Sequence, residues 1–183
     1  MKRITVAAAL VLVTFSANAQ DGTQFRVGVA AAFSDYKGDS SFPVNDSGVG
    51  LQLYGGVKLN KWFGIEGGYY NSGTFETDLD PSADDGNVEI AFSGFNLSAV
   101  GYIPIGDIEL FGKVGALDYD VDLNRLVGQS WDNGSLGHAT GLLLGAGAII
   151  NVGENIGIRT EFDWYDIDNA DLWALSLGVD YRF

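Results

Sequence analysis

The residues best suited to nucleophilic chemistry are His138 and a nearby serine, either Ser130 or Ser135. An imidazole beside a serine hydroxyl can remove its proton and activate the oxygen for acyl transfer. The sequence contains no Gly-x-Ser-x-Gly motif to hold a serine on a strained turn, and no fixed spacing links these residues. We therefore predict no catalytic residues, with a Ser–His pair as the weaker alternative.

Two groups of aspartates have the residue type that hard cations prefer. Asp118, Asp120 and Asp122 alternate along the chain, and carboxylates at this spacing can share a cation such as calcium. A second acidic cluster precedes them and consists of Asp78, Asp80, Asp84 and Asp85. The complete calcium loop, with its central Gly and distant Glu, is absent. We expect solvated acidic loops and no metal site, and weak divalent-cation bridging is the alternative.

The composition excludes several classes of protein. The 183 residues include no Cys and 1 His, which excludes disulfides, thiolate zinc sites and His-rich metal sites. The 10 Lys and Arg against 24 Asp and Glu give a net charge of -14, and so acidic a surface repels nucleic-acid phosphates. Gly141, Gly145 and Gly147 lie within a strand pattern and form no dinucleotide-binding motif. We expect no cofactor and no nucleic-acid partner.

The N-terminus has the pattern of an export signal. Two basic residues precede an apolar stretch at residues 4–15, and residues 17–19 read Ala-Asn-Ala, which fits a cleavage site. The apolar stretch is too short for a membrane anchor, which needs about 20 residues. We predict a signal peptide over residues 1–19 and one domain over residues 20–183.

Apolar and polar residues alternate through nearly all of the remaining chain. Phe25, Val27 and Val29, for example, alternate with Arg26 and Gly28, and this period of two predicts strands with one apolar face. Eight segments, most of them about 9 to 12 residues long, have the length of tilted membrane-crossing strands. They cover residues 24–33, 49–59, 63–70, 95–103, 108–116, 139–150, 156–165 and 173–183. Residues 139–150 are almost entirely apolar, so their phase stays open.

The connections between these segments alternate between short and long. The predicted short turns are residues 60–61, 104–107 and 151–155. The predicted longer loops are residues 34–47, 76–88, 118–137 and 166–171. An even number of strands can close into a barrel without unpaired edges. Alternation alone fits both a soluble barrel with its apolar face around a ligand and a membrane barrel with that face toward lipid.

The charged and aromatic residues favour the membrane barrel. The polar phase carries both signs equally: Arg26, Lys58, Lys113, Arg159 and Arg182, with Glu66, Glu109, Glu161, Asp163 and Asp180. Such balance suits a narrow lumen in which charges must pair, and we expect Arg159 to meet Glu66, Glu109 or Glu161. The apolar phase carries aromatic residues near the segment ends, as membrane-interface girdles do. They are Phe25, Phe33, Phe63, Tyr69, Trp164, Trp173, Tyr181 and Phe183.

The final segment, Trp-Ala-Leu-Ser-Leu-Gly-Val-Asp-Tyr-Arg-Phe at residues 173–183, resembles the C-terminal strand of small outer-membrane barrels of Gram-negative bacteria. Residues 157–164 are similar to the seventh strand of that family, the OmpA-like transmembrane domain and its OmpX and Ail relatives. The resemblance implies an all-β, eight-stranded antiparallel up-and-down transmembrane β-barrel with short periplasmic turns and longer extracellular loops. It also implies that Tyr181 and Phe183 form the signal read by the barrel assembly machinery. Since the chain ends at Phe183, we expect no peptidoglycan-binding domain and no wall-anchoring role.

The function expected from these observations is that of a non-enzymatic protein of the cell outer membrane. A lumen filled with side chains should conduct ions poorly, which argues against a role as a pore. We therefore predict a role in envelope integrity and surface interaction through acidic extracellular loops. The implied partners are outer-membrane lipids and lipopolysaccharide, the barrel assembly machinery, and a host or surface ligand at the loops. The alternative is an enzyme that modifies lipid A or phospholipid in the outer leaflet.

Overall fold

The protein is a closed β-barrel in a computed structural model that describes residues 23–38, 45–77, 88–127, 130–167 and 170–183. Its eight strands are β1 (Gln24–Gly38), β2 (Asn45–Lys58), β3 (Phe63–Thr77), β4 (Val88–Ile105), β5 (Ile108–Val127), β6 (Ser130–Asn151), β7 (Ile156–Ile167) and β8 (Ala170–Arg182). Each strand pairs antiparallel with the next, and β8 pairs with β1. The predicted all-β, up-and-down, eight-stranded architecture is confirmed. Among the residues described, none belongs to a helix long and apolar enough to cross a membrane.

The barrel wall is inverted relative to a soluble protein. Leu177 on β8 is 58% exposed on the outside, whereas Arg159 on the neighbouring strand β7 is 2% exposed inside. The same alternation holds along β1, where Val27 and Val29 point outward and Arg26 points inward. Because the apolar face points away from the lumen, the soluble barrel with an apolar interior is wrong for this chain.

Pairing with its neighbours fixes the phase of β6, which the sequence left open. Leu143 and Ile149 are buried inside, whereas Leu142, Leu144 and Ile150 are exposed outside. Both faces of β6 are apolar, so composition could not select one. Its register with β5 and β7 does so, because side chains directly opposite one another point to the same face of the sheet.

The strands are longer than predicted at the end of the barrel that carries the long connections. Strands β5 and β6 occupy nearly all of residues 118–137, so the loop predicted there is wrong. Strands β7 and β8 likewise shorten the loop predicted at residues 166–171. The period of two continues past the apolar zone, where Asp118 and Asp120 take the outward positions and Tyr119 is buried inside. Polar outward residues suit a strand that has emerged into water.

Part of the predicted acidic surface cannot be assigned to loops. Asp118, Asp120 and Asp122 belong to β5 and not to a loop. The upstream acidic cluster lies outside the described residues and comprises Asp78, Asp80, Asp84 and Asp85.

The two ends of the barrel differ in their connections. At what we call the turn end, residues 59–62, 106–107 and 152–155 join successive strands. Gly106 has a φ of 62°, which suits glycine in a tight turn. At the opposite end, called the hairpin end, β5 and β6 extend to 20 and 22 residues.

Aromatic residues mark both ends of the apolar wall. Near the hairpin end, the Trp173 ring lies 5.2 Å from Phe162 and 6.2 Å from Trp164 between centroids. Near the turn end, Tyr181 and Phe183 make an edge-to-face contact at 5.0 Å. These belts bound the part of the wall whose outward residues are apolar, as at the two interfaces of a membrane.

Candidate functional site: a lumen filled with paired charges

The centre of the lumen is organised around Arg159. This residue is on the inward face of β7, and its guanidinium forms a fork with Glu66 of β3 through Nη1–Oε2 and Nη2–Oε1 distances of 2.6 and 2.9 Å. The Arg159 Nε also donates to Glu161 at 2.9 Å. The rings of Tyr54 and Phe111 each lie 4.3 Å from the guanidinium carbon. Two carboxylates and two aromatic faces therefore fix this cation in a space shielded from water.

Lys113 extends the same cluster toward the hairpin end. Its Nζ pairs with Glu161 and lies 3.1 Å from Asp163 Oδ1. The Tyr165 hydroxyl donates to Asp163 at 3.2 Å, and the Gln52 amide donates to it at 3.4 Å. We call Glu66, Lys113, Arg159, Glu161 and Asp163 the central network. It contains three carboxylates and two cations.

A glycine makes room for this cluster. A Cβ atom added at Gly145, which faces inward from β6, would overlap the Asp163 carboxylate and approach Lys113 Cε to 2.6 Å. A narrow barrel has room for long charged side chains only where the residue that faces them has little or no side chain of its own. Glycine at position 145 is therefore part of the central network's geometry.

A second set of charges lies nearer the turn end. Glu109 of β5 pairs with Lys58 of β2 and lies 2.6 Å from Arg26 of β1. Arg26 is also 3.9 Å from Asp180 of β8. Arg182 completes this set, which we call the turn-end network. Its guanidinium donates to the backbone carbonyls of Gly153 and Ile156 at 3.0 and 3.3 Å.

The predicted lumen residues are thus all buried, but the structure divides them between the two networks. Of the three partners expected for Arg159, Glu66 and Glu161 contact it. Glu109 is near the start of β5 at the turn end, where Arg26 and Lys58 reach it first.

An aromatic and aliphatic cluster fills the lumen toward the hairpin end. Tyr70 and Tyr165 stack with centroids 5.0 Å apart, and the Tyr70 and Ser34 hydroxyls are 2.5 Å apart. The cluster, called the aromatic plug, comprises Ala32, Tyr70, Phe92, Leu117, Tyr119, Leu143, Tyr165, Leu172 and Ala174. Sequence reasoning missed it. Its signal was present, because several of these large residues occupy the phase otherwise assigned to polar side chains.

Among the residues that the structure describes, three contacts cross the full width of the barrel. Strands β3 and β7 are opposite each other in the closed order, as are β1 and β5. Arg159–Glu66 and Tyr70–Tyr165 join the first pair, and Arg26–Glu109 joins the second. Side chains therefore meet at the barrel axis in both networks and in the aromatic plug.

The residues considered for catalysis all lie on β6, toward the hairpin end. In the backbone register, His138 is opposite Asp120, Ser135 is opposite Asp122, and Ser130 is opposite Val127. The side chains of His138, Ser130 and Ser135 are outside what the structure describes. In the described part of the chain, no group of three or more His, Asp or Glu side chains is arranged to hold a metal ion.

The proposed assembly residues are at the end of β8. Tyr181 and Phe183 both face outward, and the Phe183 N–H donates to the Phe25 carbonyl of β1 at 3.0 Å. The Asn155 side chain donates to the Arg182 carbonyl at 2.7 Å, and the Arg182 N–H donates to the Asn155 carbonyl at 2.8 Å. The C-terminal residues are thereby bound to β1 and to the turn that precedes β7.

Comparison with known proteins identifies the family. Residues 5–183 match the family model described as an outer membrane protein beta-barrel domain. The chain belongs to this family. Outer membrane protein A of Escherichia fergusonii is 28% identical over 205 aligned residues, which cover 100% of this chain and 56% of the relative. The corresponding protein of Salmonella typhi is 27% identical with the same coverage. The chain thus spans about half the length of these curated relatives.

Solved structures of outer-membrane barrels share the fold. Ail of Yersinia pestis, solved with the heparin analogue sucrose octasulfate, superposes with a TM-score of 0.64 at 19% identity, covering 88% of this chain and 99% of Ail. Neisserial surface protein A gives a TM-score of 0.68 at 16% identity, covering 89% of this chain and 100% of the neighbour. The predicted family and outer-membrane location are confirmed, and the exposed apolar wall of this family member faces lipid.

Proposed function

We propose that the protein is a non-enzymatic component of the outer membrane that supports envelope integrity and interacts with surface ligands at its hairpin end. The observation that carries this proposal is the set of contacts across the lumen, Arg159–Glu66, Arg26–Glu109 and Tyr70–Tyr165. A barrel closed by its own side chains offers solutes no open path. Its accessible surfaces are then the lipid-facing wall and the two ends.

The proposed partners follow from these surfaces. Outer-membrane lipids, including lipopolysaccharide, cover the apolar wall between the aromatic belts. The barrel assembly machinery recognises Tyr181 and Phe183 after residues 1–19 have been removed as the signal peptide. The hairpin end faces the cell exterior, since long hairpins of such barrels lie outside and short turns face the periplasm.

The charge of the chain favours a basic surface ligand. The Ail neighbour was crystallised with a polysulfated heparin analogue. This chain has a net charge of -14 and carries exposed Asp118, Asp120 and Asp166 on the outward phase toward the hairpin end. Such a surface repels a polyanion at short range and attracts cationic groups.

Single-channel recording of the purified protein in planar bilayers tests the occluded lumen. We expect no steady open conductance, because opening a path requires separation of buried charge pairs. A stable ohmic channel would show that the lumen is open and would refute the proposed function.

The enzymatic alternative has its own test. Lipid A and phospholipids from cells that carry the wild type or the His138→Ala variant should be indistinguishable by mass spectrometry. Loss of a modified lipid in the variant would replace the proposal with an outer-leaflet enzyme. Sensitivity of a deletion strain to bile, serum and detergent measures the envelope role directly.

A further inference from the structure

The outer wall of the barrel has a groove that crosses β2, β3 and β4. Its outward-facing lining consists of Leu53 and Gly55 of β2, Gly67 and Tyr69 of β3, and Phe95 of β4, and its volume is about 420 Å³. Gly55 and Gly67 are directly opposite each other in the β2–β3 register and form the floor. The Tyr69 and Phe95 rings, with centroids 5.1 Å apart, bound the groove toward the hairpin end. We call this surface the lateral groove.

The barrel itself does not require glycine at the floor of the lateral groove. A Cβ atom added at Gly55 would find its nearest atom at 3.6 Å, and one added at Gly67 at 3.5 Å, which are ordinary van der Waals distances. Neither residue is among the glycines with a positive φ. Glycine weakens the interior of a strand, where it often marks a place that another group approaches closely. The two glycines therefore indicate that the groove has an occupant.

The lateral groove lies in the half of the membrane next to the turn end. Gly67 is four residues along β3 from Phe63, an exposed aromatic residue at the start of the strand. At a rise of about 3.3 Å per residue and a tilt of about 40°, Gly67 is about 10 Å farther into the membrane than Phe63. The apolar band of such barrels is about 25 Å tall. The groove is thus continuous with the lipid-facing wall, and acyl chains of the leaflet at the turn end surround it.

The turn next to the lateral groove carries a cation and an aromatic ring. Residues 59–62 join β2 to β3, the two strands that form the floor. The Lys61 Nζ lies 5.1 Å from the centroid of the exposed Trp62 ring. The Asn60 side chain accepts the N–H groups of Trp62 and Phe63 at 2.8 and 3.0 Å, which orders the turn. Trp and Lys are typical of the lipid interface, where the ring lies at the level of the head groups and the ammonium can reach a phosphate.

Charge distinguishes this turn from the other two turns of the barrel. The turn between β4 and β5 carries Asp107, and the turn between β6 and β7 carries Glu154. The three cations of the turn-end network are buried inside the lumen. Among the described residues, Lys61 is therefore the cation at the turn end that a lipid phosphate can reach. The β2–β3 turn attracts an anionic head group, and the other two turns repel it.

We propose that the β2–β3 hairpin binds one anionic glycerophospholipid of the periplasmic leaflet, with its phosphate at Lys61 and an acyl chain in the lateral groove. A lipid held at both places binds more tightly than its neighbours, because the head-group contact keeps the chain beside the groove. The inference rests on the orientation given with the proposed function, in which the turn end faces the periplasm. It names one class of lipid and the residues that hold it.

Native mass spectrometry of the full chain, released from detergent micelles that contain phosphatidylglycerol, counts the lipids retained by each barrel. We expect one retained phosphatidylglycerol. Its Kd, obtained by titration of the lipid, should be about fivefold tighter than that of phosphatidylethanolamine, which has no net charge. Equal Kd values for the two lipids, or a random distribution of many retained lipids, would overturn the proposal.

Lys61→Gln tests the head-group contact. Loss of one Lys near the lipid surface should weaken the binding of phosphatidylglycerol about fivefold. The matched control adds Glu154→Gln, an exposed residue of another turn, and this double variant has the net charge of the wild type. It should bind as weakly as Lys61→Gln alone. Recovery of wild-type binding in the double variant would mean that net charge alone attracts the lipid, and the proposed site would be wrong.

Gly67→Leu tests the lateral groove by filling it. Gly112→Leu is the matched control, because Gly112 also faces outward and an added Cβ finds its nearest contact at 3.8 Å, but it lies on β5 outside the groove. We expect about tenfold weaker binding of phosphatidylglycerol for Gly67→Leu and unchanged binding for Gly112→Leu, with heat-dependent gel mobility retained in both. Gly55→Leu fills the groove from the opposite strand and should match Gly67→Leu. Wild-type binding by Gly55→Leu and Gly67→Leu would overturn the proposal, as would a wild-type dimer that Gly67→Leu disrupts.

The outcomes separate this inference from the proposed function. If the wild type retains no phosphatidylglycerol and does not conduct ions, and lipid A is unchanged, the non-enzymatic role stands and the lipid site is wrong. If the wild type forms an open channel or modifies lipid A, the proposed function fails whichever lipid the barrel retains.

Discussion

Removal of the Arg159 cation is the sharpest perturbation of the central network. Arg159→Leu leaves Glu66 and Glu161 without the three hydrogen bonds that the guanidinium donates to them. At about 1.5 kcal/mol for each hydrogen bond to a charged group, their loss amounts to about 4 to 5 kcal/mol. Breaking a buried ion pair by removing one partner costs about 3 to 5 kcal/mol, so both estimates agree. We expect Arg159→Leu to insert into lipid but to lose about 4 kcal/mol of unfolding free energy.

A double variant distinguishes charge pairing from packing. The central network has three carboxylates and two cations, and Arg159→Leu leaves three carboxylates and one cation. Adding Glu66→Gln to Arg159→Leu restores the original excess of one negative charge. The two substitutions should therefore be less than additive by about 0.5 to 3 kcal/mol, the range for residues in contact.

Urea unfolding of the barrel in lipid vesicles, followed by tryptophan fluorescence and gel mobility, measures these free energies. Thr160→Leu is the matched control, since Thr160 is adjacent in sequence and exposed on the lipid side. It should not lower the unfolding free energy, because an apolar side chain is at least as favourable as a hydroxyl-bearing one against lipid. A loss below about 1 kcal/mol for Arg159→Leu, or strict additivity with Glu66→Gln, would refute a stabilising charge network.

Three further predictions concern the wall, the assembly residues and the glycines. Leu177→Arg should fold poorly into vesicles, because Arg at a bilayer midplane costs about 2 to 4 kcal/mol, and efficient folding would contradict the lipid-facing phase. Deletion of Phe183 should lower the outer-membrane level and leave precursor in the periplasm, as measured by cell fractionation; normal levels would remove its role in assembly. Gly145→Val should lower the urea midpoint, whereas Gly112→Ala should not, because a Cβ at Gly112 finds its nearest contact at 3.8 Å. Equal urea midpoints for Gly145→Val and Gly112→Ala would show that the lumen has room for a larger side chain beside Lys113.

The alternation of residue types determined most of the wall by itself. In β7, Ile158 and Phe162 alternate with Arg159 and Glu161, and the structure places the first pair outside and the second inside. A strand has no freedom to mix its faces, because successive side chains point in opposite directions. The sequence therefore predicted whether a residue faces the lumen or the outside wherever its neighbours differed from it in polarity. Strand β6 was the exception, because Leu142, Leu143 and Leu144 give no such contrast.

The partners inside the lumen were decided only by the closed tertiary structure. Arg159 and Glu66 are 93 positions apart and lie on opposite strands, so their contact depends on how the whole sheet closes. The register between strands sets the position of each inward residue along the barrel axis. For this reason Glu109 pairs with Arg26 and not with Arg159. The period of two specifies whether a side chain faces the lumen or the outside. Its position along the barrel axis, and its distance from side chains on the opposite strand, depend on the assembled sheet.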